Sequence, residues 1–371
     1  MGSIKEDIQV MKILFVIKGN ESYLSQQAQI ELVVGLHKQG IDIHLIGNLS
    51  TEVELYLTKL KIKHQKIFPT KRIDHVYRNH FKELIEKYQI ELVHFVDGKS
   101  ARSGLMTLKK TSVKSVIYFG SGSLHWYDPS SYLTYLNSTL DGIICNSQFV
   151  YDHVTKQLLK RNKHKPVKIY KGYAPKWFEK IPKKELIELG IPKDAIVVCL
   201  VGNHRKIKGT KYFLRSSNHL ETSKNVHYIL IGKKTDISYF KKIKKESPIA
   251  NKIHLLGHRT DVIPILKSID IYVQTSLEEG FGRAISEAMS VGKPVVMTDA
   301  GGCTELIDES CGIITPLKNS KAIGKAISIL INDDGLRTQM GFNAKKRIEN
   351  VYHIDQTIND TIQLYKRLLD K

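Results

Sequence analysis

Two carboxylates, Glu279 and Glu287, stand eight residues apart in the segment EGFGRAISEAMSVGKPVVMTDAGGCTE, which runs from Glu279 to Glu305. Between them lies a glycine corner, Gly280, Phe281 and Gly282, followed by Arg283; before them the apolar run IDIYVQTS ends at Ser276. A strand that turns through glycines into a helix leaves backbone N–H groups unpaired at the helix start, and the helix dipole adds to their pull on an anion. Glu279, just before the corner, reaches a bound molecule from one side, and Glu287, about one and a half turns into the helix, reaches it from the other. A polyol phosphate suits both.

A second charged stretch, GNHRKIKG, follows the apolar run AIVVCLVG. It places Arg205 and Lys208 three apart before Gly209. Two cations at the mouth of a strand neutralise a diphosphate, the guanidinium forking two oxygens and the ammonium acting as a point charge.

These residues need strands to carry them, and the chain alternates strands and helices almost throughout. MKILFVI opens at Met11; Leu24, Ala28, Leu32, Val33 and Leu36 then recur at helical spacing up to Gly40, and IDIHLIG follows, which makes one βαβ unit. ELVHFV, SVIYFG, DGIICNS and VKIYKG read as further buried strands. A Pro- and Lys-rich stretch, YAPKWFEKIPKKELIELGIPKD, reads as an interdomain connection, after which the rhythm restarts with AIVVCLVG, NVHYILIG, KIHLLG, IDIYVQTS and KPVVMTD. The expected organisation is an extension or tag over residues 1–10, one domain over 11–175, a second over 176–350, and a C-terminal helix over 351–371 that packs back toward the first. Two doubly wound α/β domains in series are the natural solution, with ligands at the carboxyl ends of the strands.

The Glu-x(7)-Glu spacing within EGFG and EAM, followed by GKPVV and a GG…E turn, resembles the donor-site signature of glycosyltransferase family 4, the glycosyl transferases group 1. The likeness runs over most of residues 195–350 and more faintly over the N-terminal half. It implies the GT-B fold, two Rossmann-like doubly wound domains facing across a cleft, and a retaining enzyme. Carried over by position, Glu279 faces the transferred sugar and Glu287 holds the ribose hydroxyls. Arg205, Lys208 and the backbone at Gly280, Phe281, Gly282 and Arg283 meet the leaving diphosphate. The segment LLGHRTDVIPILKSID resembles the loop that contacts the nucleotide base, which puts His258 and Arg259 near it. Where relatives carry a double-glycine loop after the first strand, this chain has KGNESYLS with Gly19 alone. Where many place a histidine near the reacting centre, it reads GSGSLHWYD, and His125 is the nearest candidate.

What the resemblance implies is transfer of a hexosyl group from a UDP-sugar or GDP-mannose type donor to a glycan or lipid-linked acceptor, in bacterial surface polysaccharide or lipopolysaccharide synthesis. The leaving phosphate takes the acceptor proton on the same face. The chain has no Asp-x-Asp motif, so no metal is expected, and no cofactor beyond the nucleotide-sugar co-substrate. Two alternatives share the same residues: a sugar-nucleotide epimerase or phosphorylase on the same scaffold, and a nonenzymatic polyanion binder.

The 371 residues carry a formal charge of +20 and 42% hydrophobic residues. The positive excess is spread over both halves, with concentrations at Lys59, Lys61, Lys63, Lys66, Lys71 and Arg72 and from Lys156 to Lys168. A basic face of this kind meets an anionic membrane surface or is a solvated lysine-rich exterior. No nucleic-acid module is recognisable. The aromatic run Trp126, Tyr127, Tyr132 and Tyr135 stacks on a sugar, lies at a membrane surface or fills a helix core. His94, inside ELVHFV, reads as a satisfied core histidine. Cys145, Cys199, Cys303 and Cys311 form no CxxC pair and read as reduced thiols. No apolar stretch is long enough to span a bilayer, and the start lacks the apolar centre of a secretion signal. The expected location is cytoplasmic, peripheral at the inner face of the cell membrane.

Overall fold

The computed structural model describes residues 10–19 and 23–371. The described residues divide into two compact units, one formed by those up to Gly172 together with Ile354–Lys371, the other by Tyr173–His353.

In the first unit β1 (Lys12–Gly19), α1 (Tyr23–Lys38), β2 (Asp42–Asn48), α2 (Thr51–Lys59), β3 (Lys63–Gln65), α3 (His75–Tyr88), β4 (Leu92–Phe95), α4 (Gly98–Leu108), β5 (Lys114–Phe119), β6 (Gly142–Cys145), α5 (Gln148–Gln157) and β7 (Pro166–Lys168) follow in order. The strands pair in parallel in the order β3-β2-β1-β4-β5-β6-β7. Helices cover both faces of such a sheet, so its central strands are apolar throughout instead of alternating, as in KILFVIKG, where Ile13 to Val16 are fully buried. Side chains at the helix starts take up the orphan N–H groups: Asp74 accepts from the Tyr77 N–H at 3.0 Å, and Asp97 from those of Lys99 at 2.9 Å and Ser100 at 3.0 Å.

The second unit runs α6 (Lys176–Glu179), β8 (Ile196–Val201), α7 (Thr210–Ser216), β9 (Val226–Ile231), α8 (Ser238–Lys245), β10 (Ile253–Gly257), α9 (Val262–Ser268), β11 (Ile271–Gln274), α10 (Arg283–Ser290), β12 (Val295–Thr298), β13 (Gly312–Thr315), α11 (Ser320–Asn332) and α12 (Asp334–Val351). Its strands are again parallel, ordered β10-β9-β8-β11-β12-β13. The order reverses direction beside β8, so the ends of β8 and β11 frame the topological switch point, where doubly wound sheets bind ligands.

The stretch from Tyr173 that reads in sequence as a connection is folded into this second unit. Lys267 Nζ donates to the carbonyls of Phe178, Glu179 and Ile181 at 3.0, 3.1 and 2.5 Å, and Ser268 Oγ donates to that of Lys184 at 2.8 Å. The units change at residues 172/173 and 353/354 instead of 175/176 and 350/351. Two strands escape the sequence pattern, β3 and β13. β3 is three residues long, reads KHQ and lies at a sheet edge, where charge is expected.

The chain ends in α13 (Ile354–Leu369), which returns to the first unit and packs on α1. The approach is close because Gly35 has no side chain: a Cβ there would lie 2.1 Å from Ile358 Cδ1. Tyr365 hydroxyl lies 2.7 Å from His94 Nδ1 in the middle of the sheet. Full burial holds the His94 imidazole neutral, its pKa pushed down to about 3. His94 is thus a packed core residue with a partner. Truncating the anchor, Ile358→Ala, should cost about 2–4 kcal/mol of stability, the range for deleting a buried aliphatic side chain. Urea unfolding followed by circular dichroism checks this, and a loss below about 0.5 kcal/mol would show that α13 is not held by that contact.

Candidate active site

The loop after β8 and the loop after β11 are stitched together by backbone. Gly209 sits at φ +58°, in the left-handed region, and a Cβ there would lie 1.9 Å from the carbonyl oxygen of Thr275. Only glycine allows that approach. Thr275 Oγ1 donates to the Gly209 carbonyl at 3.0 Å, and the Leu277 N–H donates to that of Ile207 at 2.7 Å. This brings Lys208 onto Glu279: Nζ lies 2.5 Å from Oε2, with the two side chains 23% and 16% exposed. A third loop holds Glu279 from the other side. Its N–H donates to the Ala300 carbonyl at 2.8 Å, and it bridges Gly301 in parallel.

Beneath Glu279 runs a line of polar side chains on alternate positions of β11 and its extension. Ser276 Oγ donates to Glu279 Oε2 at 3.2 Å, Gln274 Nε2 donates to Ser276 Oγ at 2.7 Å, and the Tyr272 hydroxyl donates to Gln274 Oε1 at 2.6 Å. Past Glu279 the corner reaches Gly282 at φ +104°, which opens α10 and offers no side chain to the first-turn N–H groups. Those donors, with the positive end of the helix dipole, face the same strand ends. Glu287 is buried on α10, its Oε1 3.5 Å from Arg283 Nε. Burial drives the Tyr272 hydroxyl far above its ordinary pKa, and Cys199 and the carboxylates of Glu287 and Glu279 add to the effect. Tyr272 is therefore within electrostatic reach of both carboxylates.

The remaining sequence candidates separate. Arg205 is exposed and makes no ion pair with a described residue; Lys208 is engaged by Glu279. Gly280 is buried, and the Phe281 ring is turned inward against Tyr352, centroids 5.5 Å apart. His258 is exposed, whereas the Arg259 guanidinium forks Asp261 at 2.7 and 2.6 Å, which commits its charge within the loop. His125 belongs to the first unit, where it stacks on Tyr127 at 5.0 Å and meets His153 edge-on at 6.0 Å. Gly19 closes β1, and residues 20–22 of the loop after it lie outside the described residues.

Sequence reasoning missed Tyr272, Gln274 and Ser276, although three polar residues at period two in an otherwise apolar strand were a visible signal. It also missed the support of the GG turn, where Arg347 Nε donates to the Leu306 carbonyl at 2.8 Å and the Tyr352 hydroxyl to that of Glu305. That support comes from α12 and the residue after it, which no local motif announces.

Two doubly wound parallel units, with a Lys–Glu pair and a helix start at the switch point of the second, define the GT-B class. Residues 183–347, which lie within the second unit, match the family model described as glycosyl transferases group 1. One relative, the N,N'-diacetylbacillosaminyl-diphospho-undecaprenol alpha-1,3-N-acetylgalactosaminyltransferase of Campylobacter jejuni, is 31% identical over 51% of this chain and 48% of its own. The chain thus spans about half the length of that protein and, at 53%, of an uncharacterised glycosyltransferase of Methanocaldococcus jannaschii. The capsular polysaccharide biosynthesis glycosyltransferase CapM of Staphylococcus aureus is 24% identical over 92% of this chain and 93% of its own. Among solved structures, a glycosyltransferase of Rickettsia africae superposes with a TM-score of 0.81 at 21% identity, covering 97% and 99% of the two chains. Anabaena HepE in complex with UDP and glucose does so with 0.79 at 19%, covering 96% and 100%.

Gly209→Ala should destabilise the protein by about 3 kcal/mol or more, since left-handed strain adds to a backbone clash that no rotamer relieves. Chemical denaturation measures it, and a loss below about 1 kcal/mol would mean that the two loops are not stitched as described.

Proposed function

We propose that the protein is a retaining glycosyltransferase that moves a sugar from a nucleoside diphosphate donor to a glycan or lipid-linked acceptor in surface polysaccharide synthesis. The observation that carries this reading is the convergence of Lys208, Glu279 and the start of α10 at one strand-end site. The names of the Campylobacter and Staphylococcus relatives support a lipid-linked or capsular acceptor.

In the reaction the bond from the anomeric carbon to the diphosphate oxygen breaks, the bond to the acceptor oxygen forms, and the acceptor proton passes to the departing phosphate on the same face. Negative charge grows on the diphosphate while the sugar becomes oxocarbenium-like. Fixed donors that meet the growing charge lower the barrier most. Lys208 has three ammonium protons and gives one to Glu279, which leaves two for the diphosphate. Arg205 and the N–H groups at the start of α10 supply the rest. Glu279 presents its second oxygen to the sugar, where positive charge develops, and Glu287 takes the ribose hydroxyls. In this scheme the diphosphate charge is met by protein cations, and no divalent ion is required.

A lipid-linked acceptor calls for approach to a membrane, and no helix among the described residues is long and apolar enough to cross one. We infer peripheral docking by the first unit. Its basic segment is divided in role: Lys63 is an edge-strand lysine paired with Asp42 at 2.9 Å, whereas Arg72 is within electrostatic reach of Arg102 and of Asp128, the residue that follows Tyr127. Trp126 and Tyr127, 62% and 66% exposed, stand on that loop, and Ile73 and Val76 are exposed next to Arg72. Exposed aromatics beside cations suit an anionic interface.

Two outcomes follow from this reading. Glu287→Gln should weaken free UDP or GDP and the matching sugar donor alike, by about tenfold, because both contain the ribose. Glu279→Gln should lower turnover by about a hundredfold while free-nucleotide affinity stays nearly native, since its carboxylate acts on the transferring sugar. Calorimetry beside initial rates separates the two, and equal loss of nucleotide affinity in both variants contradicts the assignment. On phosphatidylglycerol vesicles the protein should cosediment at low salt and be released as salt rises, with Arg72→Glu and Trp126→Ser each reducing the bound fraction. Binding that is absent, or insensitive to salt, would exclude this docking face.

A further inference from the structure

We infer that Tyr272, Gln274 and Ser276 form a one-way hydrogen-bond chain that positions Glu279, and that Gln274 sets its direction; the inference rests on the functional reading above. Every link has a donor and an acceptor that chemistry fixes once one end is fixed. A buried tyrosine whose ionisation is suppressed keeps its proton and donates it; of its two acceptors, Gln274 Oε1 at 2.6 Å is far nearer than the Val201 carbonyl at 3.5 Å, so the proton goes to Gln274. With its oxygen so occupied, the amide must turn its NH2 toward Ser276, and it donates to Ser276 Oγ at 2.7 Å. Ser276 then has one proton to place, and Glu279 Oε2 lies 3.2 Å away. The opposite amide orientation would put Oε1 against Ser276 and draw its proton away from Glu279.

Tyr272 and Ser276 are fully buried and Gln274 is 3% exposed. A buried polar chain costs stability unless every member is satisfied, and satisfied networks fix a unique geometry. The strand that carries the chain is itself pinned, for Thr298 Oγ1 donates to the carbonyls of Ser276 at 2.5 Å and Gln274 at 3.4 Å. At the end of the chain Ser276 and Lys208 both place protons on the same carboxylate oxygen, Oε2. Both contacts hold the carboxylate through Oε2, which leaves Oε1 as the oxygen for the sugar. Ser276, Gln274 and Tyr272 are positioning residues for Glu279, and an apolar residue at position 274 would fit the strand but leave the serine undirected.

A double-mutant cycle tests this. Ser276→Ala should lower turnover of a UDP-sugar or GDP-mannose about tenfold, with UDP or GDP binding unchanged, and Ser276→Thr, which keeps the hydroxyl, should restore most of the loss. Gln274→Leu, which touches no part of Glu279, should lower turnover several-fold in the same way. In a Glu279→Ala background neither substitution should have a further effect on turnover, and each should shift the thermal unfolding midpoint by less than half the shift it causes in the native background. Equal effects in both backgrounds overturn the chain. If no nucleotide sugar is turned over by the native protein, the functional reading fails, and the thermal cycle still decides whether the chain holds Glu279.

Discussion

The contact between Lys208 and Glu279 is the point on which three loops at the carboxyl end of the second sheet converge. At 2.5 Å, with both side chains mostly out of water, two opposite charges attract strongly, and each also loses hydration that its partner must offset. Pairs of this kind hold only when geometry is imposed from elsewhere. Here three loops impose it: Gly209 lets the β8 loop touch Thr275, the Glu279 backbone is tied to Ala300, and the polar line of β11 reaches up from below. The pair leaves unused donors on the ammonium and an unused acceptor on the carboxylate. On the function proposed here the ligand is a sugar diphosphate, anionic at one end and gaining positive charge at the other as its glycosidic bond breaks, and it meets both.

The surplus of positive charge is put to several uses. Some cations are structural: Lys63 guards an edge strand beside Asp42, Lys267 caps the carbonyls at the end of α6, and Lys224 joins Asp334 at 2.9 Å. Others are left to solvent or ligand, such as Arg205 at the site and the cations beside the aromatic loop of the first unit. Lys293 shows the cost of packing lysines together, for burial first, with Lys183 and Lys267 adding to it, pushes its amine down to about 8. A formal charge of +20 is therefore a poor guide to any single partner until each cation is placed.

The sequence carried the architecture well because buried parallel strands leave unbroken apolar runs, and AIVVCLVG, NVHYILIG and IDIYVQTS each became a strand. The glycine corner that opens α10 was legible because its spacing is local. The sequence did not carry β3 or β13, which are short edge strands, nor the fold-back of 173–194 onto α9, which is decided by hydrogen bonds from Lys267 and Ser268 far along the chain. Arg259 illustrates the same limit: its place in the loop was legible, while the commitment of its guanidinium to Asp261 is set by the folded loop. The partner of Lys208 was equally hidden, since the two residues are 71 apart in sequence and are brought together by contacts between loops.

Retaining transfer driven by protein cations at this pair is tested most directly by following the reaction with proton NMR in the presence of EDTA, using UDP-sugars and GDP-mannose as donors. The account predicts turnover without added metal and a product whose anomeric proton keeps the donor's configuration. A product of inverted configuration, or turnover that returns only with a divalent ion, would contradict it.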